Sequence, residues 1–249
     1  MVFIHGGAYM MGSIFAKLLD MRHMAARGDV IACAINYRLG PLGFLYTGDN
    51  SSAGVVATNL GLRDQIMALE WVRDNIHFFG GDPTRVTIHG SSSGSMSVGS
   101  LIISPLARGL FQRAILHGGA PNSDHFTQSK TRSLEVTRQY AKKLNCSDHI
   151  MVDCLRAKNF TELVRPLDGI NFDRFNEFFA PLYGDDVLPQ SPLEALANGS
   201  EVNRDIDLMY GVAGDEGTHF AVSLYPTLLN DRLNLTLNET YVFIERIFN

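Results

Sequence analysis

Cysteine is scarce in this sequence, with three residues among 249. Cys33 stands alone in an apolar run, and Cys146 and Cys154 have only seven residues between them, so the three make no metal-ligand pattern. A small disulfide loop fits the Cys146 and Cys154 pair. Positive charge is not in excess either: 21 Lys and Arg stand against 26 Asp and Glu, a formal net charge of −5. With no basic stripe to track phosphates, nucleic acid is not an expected partner. No apolar run approaches the ~20 residues that a membrane-spanning helix needs. The N-terminus shows no basic segment, apolar core and small-residue cleavage site, so nothing in this stretch is expected to span a membrane or to target the chain. Internal repeats and low-complexity segments are missing too, which argues against a solenoid or a disordered tail.

What is present is core-forming material, 45% hydrophobic and 19% charged, enough for one globular domain over residues 1–249. The apolar run 1–4 (MVFI) reads as a short strand entered without any preceding helix, so the chain is expected to begin inside a domain. A continuous apolar run at 29–36 (DVIACAIN) reads as a fully buried strand that a Gly and Pro turn ends. Over 62–76, Leu62, Ile66, Leu69, Val72 and Ile76 recur at helical spacing, and Gly80, Gly81, Asp82 and Pro83 break the chain afterwards. Strands follow at 85–89 (RVTIH), 113–117 (RAILH) and 208–213 (LMYGVA), the middle one read as buried, with helices expected near 130–144, 148–157 and 192–198. This alternation predicts an α/β fold: a mostly parallel central sheet with helices on both faces. Six N-glycosylation tripeptides begin at Asn50, Asn145, Asn159, Asn198, Asn234 and Asn238. With the cysteine pair they predict an oxidising, extracellular setting.

Three local patterns carry chemistry. Gly90-Ser91-Ser92-Ser93-Gly94 follows a predicted strand and opens a predicted helix, as a nucleophile elbow requires. In that register Ser92 stands at the tip between two glycines, where larger side chains would collide with the neighbouring strand and helix. His5-Gly6-Gly7-Ala8-Tyr9 is a strand end followed by small residues whose amides can converge on one point, which suits an oxyanion hole made by Gly7, Ala8 and Ser93. Gly214-Asp215-Glu216-Gly217 sits at the end of a strand, where open sheets collect functional groups, and either Asp215 or Glu216 could orient a histidine. The general base is the part the sequence does not provide. His219 follows the acid too closely to bridge to Ser92, the strand-end His5, His89 and His117 read as structural, and no histidine is assigned.

The strings HGGAY, NYRLGPLGFL, NLGLRDQIMALEWVRDNIHFFGGDPTRVTIHGSSSG and GDEG together resemble the type B carboxylesterase and cholinesterase family through nearly the whole chain. The resemblance implies an incomplete α/β-hydrolase fold, Ser92 as nucleophile and Glu216 as the acid, and hydrolysis of a small-molecule carboxylic ester without a metal or organic cofactor. It also implies oxyanion donors at Gly7, Ala8 and Ser93, a Cys146 to Cys154 disulfide, and a structural ion pair between Arg38 and Asp64. Chains of the family are roughly twice this length and carry the catalytic histidine on a downstream loop, so this stretch is expected to be a central fragment with no base of its own. The sequence departs from the family at Ser91, commonly glutamate, and at Ser93, commonly alanine. Two acyl-pocket aromatics of cholinesterases fall near His125 and Glu177, which puts choline specificity in doubt. A non-catalytic adhesion or receptor protein on the same fold, or an inactive truncated fragment, is the alternative expectation.

Overall fold

A computed structural model describes residues 1–16, 19–48, 57–122, 126–164, 178–199, 202–218 and 236. Five strands form one sheet: β1 (Val2–Ile4), β2 (Cys33–Ile35), β3 (Thr87–Ser91), β4 (Arg113–His117) and β5 (Asp207–Gly211). Their order is β2-β1-β3-β4-β5 and every neighbouring pair is parallel. Between them lie α1 (Arg22–Gly28), α2 (Gly40–Phe44), α3 (Leu60–Asn75), α4 (Ser93–Ile103), α5 (Lys130–Lys143), α6 (Met151–Ala157), α7 (Phe160–Val164) and α8 (Pro192–Asn198).

The chain steps from β1 outward to β2, then crosses back over β1 to β3 and continues in that direction. Because crossovers between parallel strands are right-handed, this reversal puts α1 on the opposite face from α3 and α4. The face that α3 and α4 cover presents Val2 and Ile4 from β1, Ile88 from β3, and Ala114 and Leu116 from β4, all within the main core. Helix α3 forms because Leu62, Ile66, Leu69 and Val72 make one apolar stripe, and all four are buried. Helix α4 is unusual in burying small polar residues, Ser95, Ser97 and Ser100, which lets its backbone lie close to β3. Ser129 caps α5 by accepting from the Arg132 amide, and Ser191 with Glu194 makes a reciprocal capping box at α8.

Several expectations shift once pairing is considered. The strand expected over 29–36 shrinks to Cys33–Ile35 and is half-buried, because β2 is an edge with one neighbour. The 85–89 strand instead spans Thr87–Ser91, as its register with β4 extends to the Ser91 and His117 pair. In β4, read as buried, Ala114 and Leu116 point into the core while Arg113 and His117 are exposed. β5 is exposed along its whole length. The helix expected at 148–157 opens as a 3-10 turn, Asp148–Ile150, before α6.

Arg38 and Asp64 form the ion pair that the resemblance implied. Nε and Nη2 of Arg38 bond the two carboxylate oxygens at 2.8 and 2.7 Å, and the Arg38 amide adds a third bond at 2.9 Å. This fork pins the chain after β2 to α3, and the hydrogen bonds that Arg38 donates to Asp64 raise the guanidinium above its ordinary range. Cys146 and Cys154 are joined, with Cα atoms 5.7 Å apart, which ties the end of α5 to α6.

Candidate active site

The reversal of strand order falls between β1 and β3, and an open parallel sheet offers its binding crevice outside the carboxyl ends of such strands. The two glycine motifs of the sequence both emerge there. Ile4 pairs with Gly90, so the turn after β1 and the elbow after β3 leave the sheet side by side.

At the elbow Ser92 has φ 57° and ψ −126°, a conformation that costs a non-glycine residue on the order of 1–2 kcal/mol. The flanking glycines show what holds it. A Cβ on Gly90 would stand 2.4 Å from the Gly94 carbonyl, and a Cβ on Gly94 would stand 2.1 Å from the Ile4 carbonyl oxygen. Both collisions are with backbone that cannot move aside. The Ser92 amide donates to the His117 carbonyl at 3.0 Å, and the Ser92 carbonyl accepts from the Met96 amide at 3.0 Å. The side chain stays exposed at the tip.

The turn after β1 lies directly against this tip. A Cβ on Gly6 would reach within 2.5 Å of the Ser91 carbonyl oxygen and 3.1 Å of the Ser92 Cβ. Gly7, Ala8 and Tyr9 then take φ of 126°, 55° and 60° in succession. Three consecutive residues in this region fold back so that the Gly7 carbonyl accepts from the amides of Met10 and Met11 at 2.9 and 3.0 Å. Among the described residues the amides of Gly7, Ala8 and Ser93 donate to no other group. The strained turn is held from several sides. The Tyr9 carbonyl accepts from Gly40 at 2.8 Å, its ring is fully buried edge-on to Phe44 with centroids 5.1 Å apart, and its amide donates to Ser93 Oγ at 3.3 Å. The Tyr37 hydroxyl donates to the His5 carbonyl at 2.7 Å while its ring stacks on the His5 imidazole at 4.5 Å. Burial pushes both Tyr9 and Tyr37 far above the usual phenol range, so both stay protonated. Burial also lowers His5 and keeps it neutral, with Nδ1 donating to the Gly6 carbonyl at 2.9 Å.

Glu216 arrives from the far side. Its Oε1 accepts from the Ala213 amide at 3.0 Å, and the carboxylate rests on Gly118, where an added Cβ would meet Oε1 at 2.5 Å. The next residue, Gly119, lies under the Ser92 carbonyl oxygen, 2.5 Å from where its own Cβ would be. A two-glycine turn after β4 thus separates Ser92 from Glu216, and both glycines are needed for the close approach on their respective sides. Among the described residues Asp215 offers only its carbonyl, to the Thr218 amide at 3.0 Å. Ser92 Oγ bonds to no histidine among the described residues. His89 is buried beside Phe3 and His117, and burial first, then the His117 charge, lowers it to about 4. His125, Glu177 and His219 lie outside the described residues, as do Asn50, Asn234 and Asn238. Among the described residues no group of three His, Cys, Asp or Glu side chains is arranged to hold a metal ion, and no helix is long and apolar enough to cross a membrane.

Sequence reading did not find the side chains that brace the site: Tyr37, the Ser93 hydroxyl, and the Gly118 and Gly119 turn. The signal for the last was the adjacent glycine pair at the end of a predicted strand. Nothing local marked the other two, because their partners are 32 and 84 residues away.

A parallel sheet with a strained serine elbow after a central strand and an amide-lined turn beside it defines the α/β-hydrolase class. The chain belongs to the carboxylesterase family, whose model matches residues 1–247. It is similar to Neuroligin-3 of Mus musculus, 42% identical over 223 residues that cover 88% of this chain and 26% of that protein. Similarity to the para-nitrobenzyl esterase of Bacillus subtilis (strain 168) is 38% over 224 residues, 88% of this chain and 44% of the relative. With the acetylcholinesterase of Danio rerio it is 35% over 249 residues, 97% of this chain and 38% of the relative. The chain therefore spans less than half the length of each of these relatives.

Proposed function

We propose that the protein is a carboxylic ester hydrolase that works through an acyl-serine intermediate, and that residues 1–249 are part of its one catalytic domain. Ser92 Oγ adds to the ester carbonyl carbon and its proton passes to a histidine base. The carbonyl oxygen, now negative, accepts from the amides of Gly7, Ala8 and Ser93. Collapse expels the alcohol, water then adds to the acyl-serine, and the acid leaves. Glu216 serves to orient the histidine and stabilise its cation. No histidine described here bonds to Ser92, so the base is to be sought in the remainder of the chain or protein. The observation that supports the reading is the strained Ser92 tip with Gly6 packed against its Cβ, beside a turn in which the amides of Gly7 and Ala8, like that of Ser93, have no hydrogen-bond partner among the described residues. Strain of this kind persists only where surrounding structure over-determines it.

We also read the protein as an extracellular glycoprotein. The Cys146 to Cys154 bond and the exposure of Asn145, Asn159 and Asn198 support that setting. The competing reading is a non-catalytic adhesion or receptor protein. It is favoured by the similarity to Neuroligin-3, whose name carries no esterase activity, and by Ser91, where the family commonly has glutamate. Turnover of a short-chain nitrophenyl ester by the intact protein separates the two. The esterase reading expects turnover that Ser92→Ala reduces by at least roughly a thousandfold; turnover equal in wild type and Ser92→Ala, or none in either, favours the non-catalytic reading.

A further inference from the structure

The two parts of the oxyanion hole come from segments more than eighty residues apart in sequence: Gly7 and Ala8 from the turn after β1, Ser93 from the start of α4. Donors of this kind work only when their spacing is fixed before the reaction, because they must point at where charge develops. Backbone contact at Gly6 keeps the segments close without setting the angle between them. The hydrogen bond that joins them directly is the one from the Tyr9 amide to Ser93 Oγ, buried and 3.3 Å long. The other end of the turn is held separately, by the Tyr37 hydroxyl, which donates to the carbonyl of His5 at 2.7 Å. His5 and Tyr9 are the two residues that bracket Gly6, Gly7 and Ala8.

We propose that the Ser93 hydroxyl is a positioning group that locks the strained turn to the nucleophile elbow. Its oxygen accepts from the Tyr9 amide, and so ties the last residue of the turn to the start of α4. Alanine, which the family commonly has at this position, would keep the Ser93 amide in the hole and remove the bridge. Ala8 and Tyr9 each pay for a left-handed conformation that glycine would adopt freely. The bridge is one of the contacts that keep them there, along with the Gly40 bond to the Tyr9 carbonyl and the burial of the Tyr9 ring. Ser93 itself is buried, so water does not compete for its hydroxyl.

The proposal rests on the ester-hydrolase reading for its consequence in catalysis, though its structural part can be measured without turnover. Amide hydrogen exchange of the intact protein, resolved over residues 5–12, is compared for wild type, Ser93→Ala and Tyr37→Phe. The same proteins are assayed with a nitrophenyl ester. For Ser93→Ala we expect exchange at Tyr9, whose amide loses its acceptor, to rise about tenfold or more. We expect kcat to fall roughly tenfold with KM within twofold, less than the ~100-fold or greater cost of deleting a whole donor. Tyr37→Phe, which removes a bond at the other end of the turn, is expected to leave exchange at Tyr9 within about twofold of wild type. Unchanged exchange at Tyr9 in Ser93→Ala, or an equal rise in Tyr37→Phe, would overturn the proposal. Absent turnover in the wild type together with faster exchange in Ser93→Ala sinks the esterase reading and leaves the lock standing.

Discussion

The two sides of the candidate site are built differently. On the nucleophile side, β1, β3 and α4 press backbone against backbone: Gly90, Gly94 and Gly6 each have a main-chain carbonyl within 2.5 Å of where a Cβ would stand. On the acid side, Glu216 extends from β5, which is exposed along its length, and its carboxylate is held by one amide and by the surface of Gly118. Among the described residues nothing stands within 4 Å of where a Cβ on the nearby Gly211, Gly214 or Gly217 would go. A nucleophile must be presented at a single angle, and close backbone packing enforces that. A carboxylate that orients another group needs only to be within reach, and its precision comes from whatever packs over it.

Paired glycine substitutions test this contrast most strongly. Gly94→Ala sets a methyl 2.1 Å from the Ile4 carbonyl oxygen, between two pieces of backbone in the centre of the fold. We expect it to destabilise by at least ~3 kcal/mol or to prevent folding, measured as the urea midpoint or as loss of soluble protein. An intermediate effect is expected on the same side from His89, which is buried on β3. The unfolded histidine takes a proton below about 6.5, whereas the folded one takes it only below about 4. Between those values the unfolded state binds more protons, so stability rises with pH through this window and falls on acidification. A single such group contributes a slope of up to ~1.4 kcal/mol per pH unit. His89→Phe should flatten the stability profile between pH 4 and 6.5, and an unaltered profile would show that His89 is not held neutral by the fold. The smallest effect belongs to the acid side: Gly214→Ala should change stability by less than about 0.5 kcal/mol in the same urea titration. A large loss there would mean that the acid side is as tightly specified as the nucleophile side.

Much of the architecture was legible because it is written in short-range patterns. The elbow could be placed from five residues, since a strand, two flanking glycines and a helix start constrain the serine between them. Helix α3 followed from five apolar residues at helical spacing, four of them inside it and Ile76 just past its end, and β4 was bounded correctly at Arg113 and His117. The rest depends on what meets what. Nothing in the apolar run at 29–36 says that, among the described residues, three of its residues find a partner strand, and nothing in LMYGVA says that its strand is an exposed edge of the described sheet. The left-handed turn was readable at Gly7, where glycine tolerates φ of 126°, and unreadable at Ala8 and Tyr9, where tertiary contacts impose a conformation that the residue types disfavour. Glu216 and Asp215 were equivalent in sequence until the resemblance chose between them. Their surroundings differ in the fold: the Glu216 carboxylate reaches Gly118, while Asp215 contributes a backbone carbonyl.

The most direct test of the account is covalent. Treating the intact protein with a fluorophosphonate and mapping the adduct by peptide mass spectrometry asks whether one hydroxyl in the Gly90-Ser91-Ser92-Ser93-Gly94 turn is activated. The account predicts a single phosphonyl adduct on Ser92, lost in Ser92→Ala and not transferred to Ser91 or Ser93. An adduct on either neighbour, or no adduct on a folded protein, would contradict it.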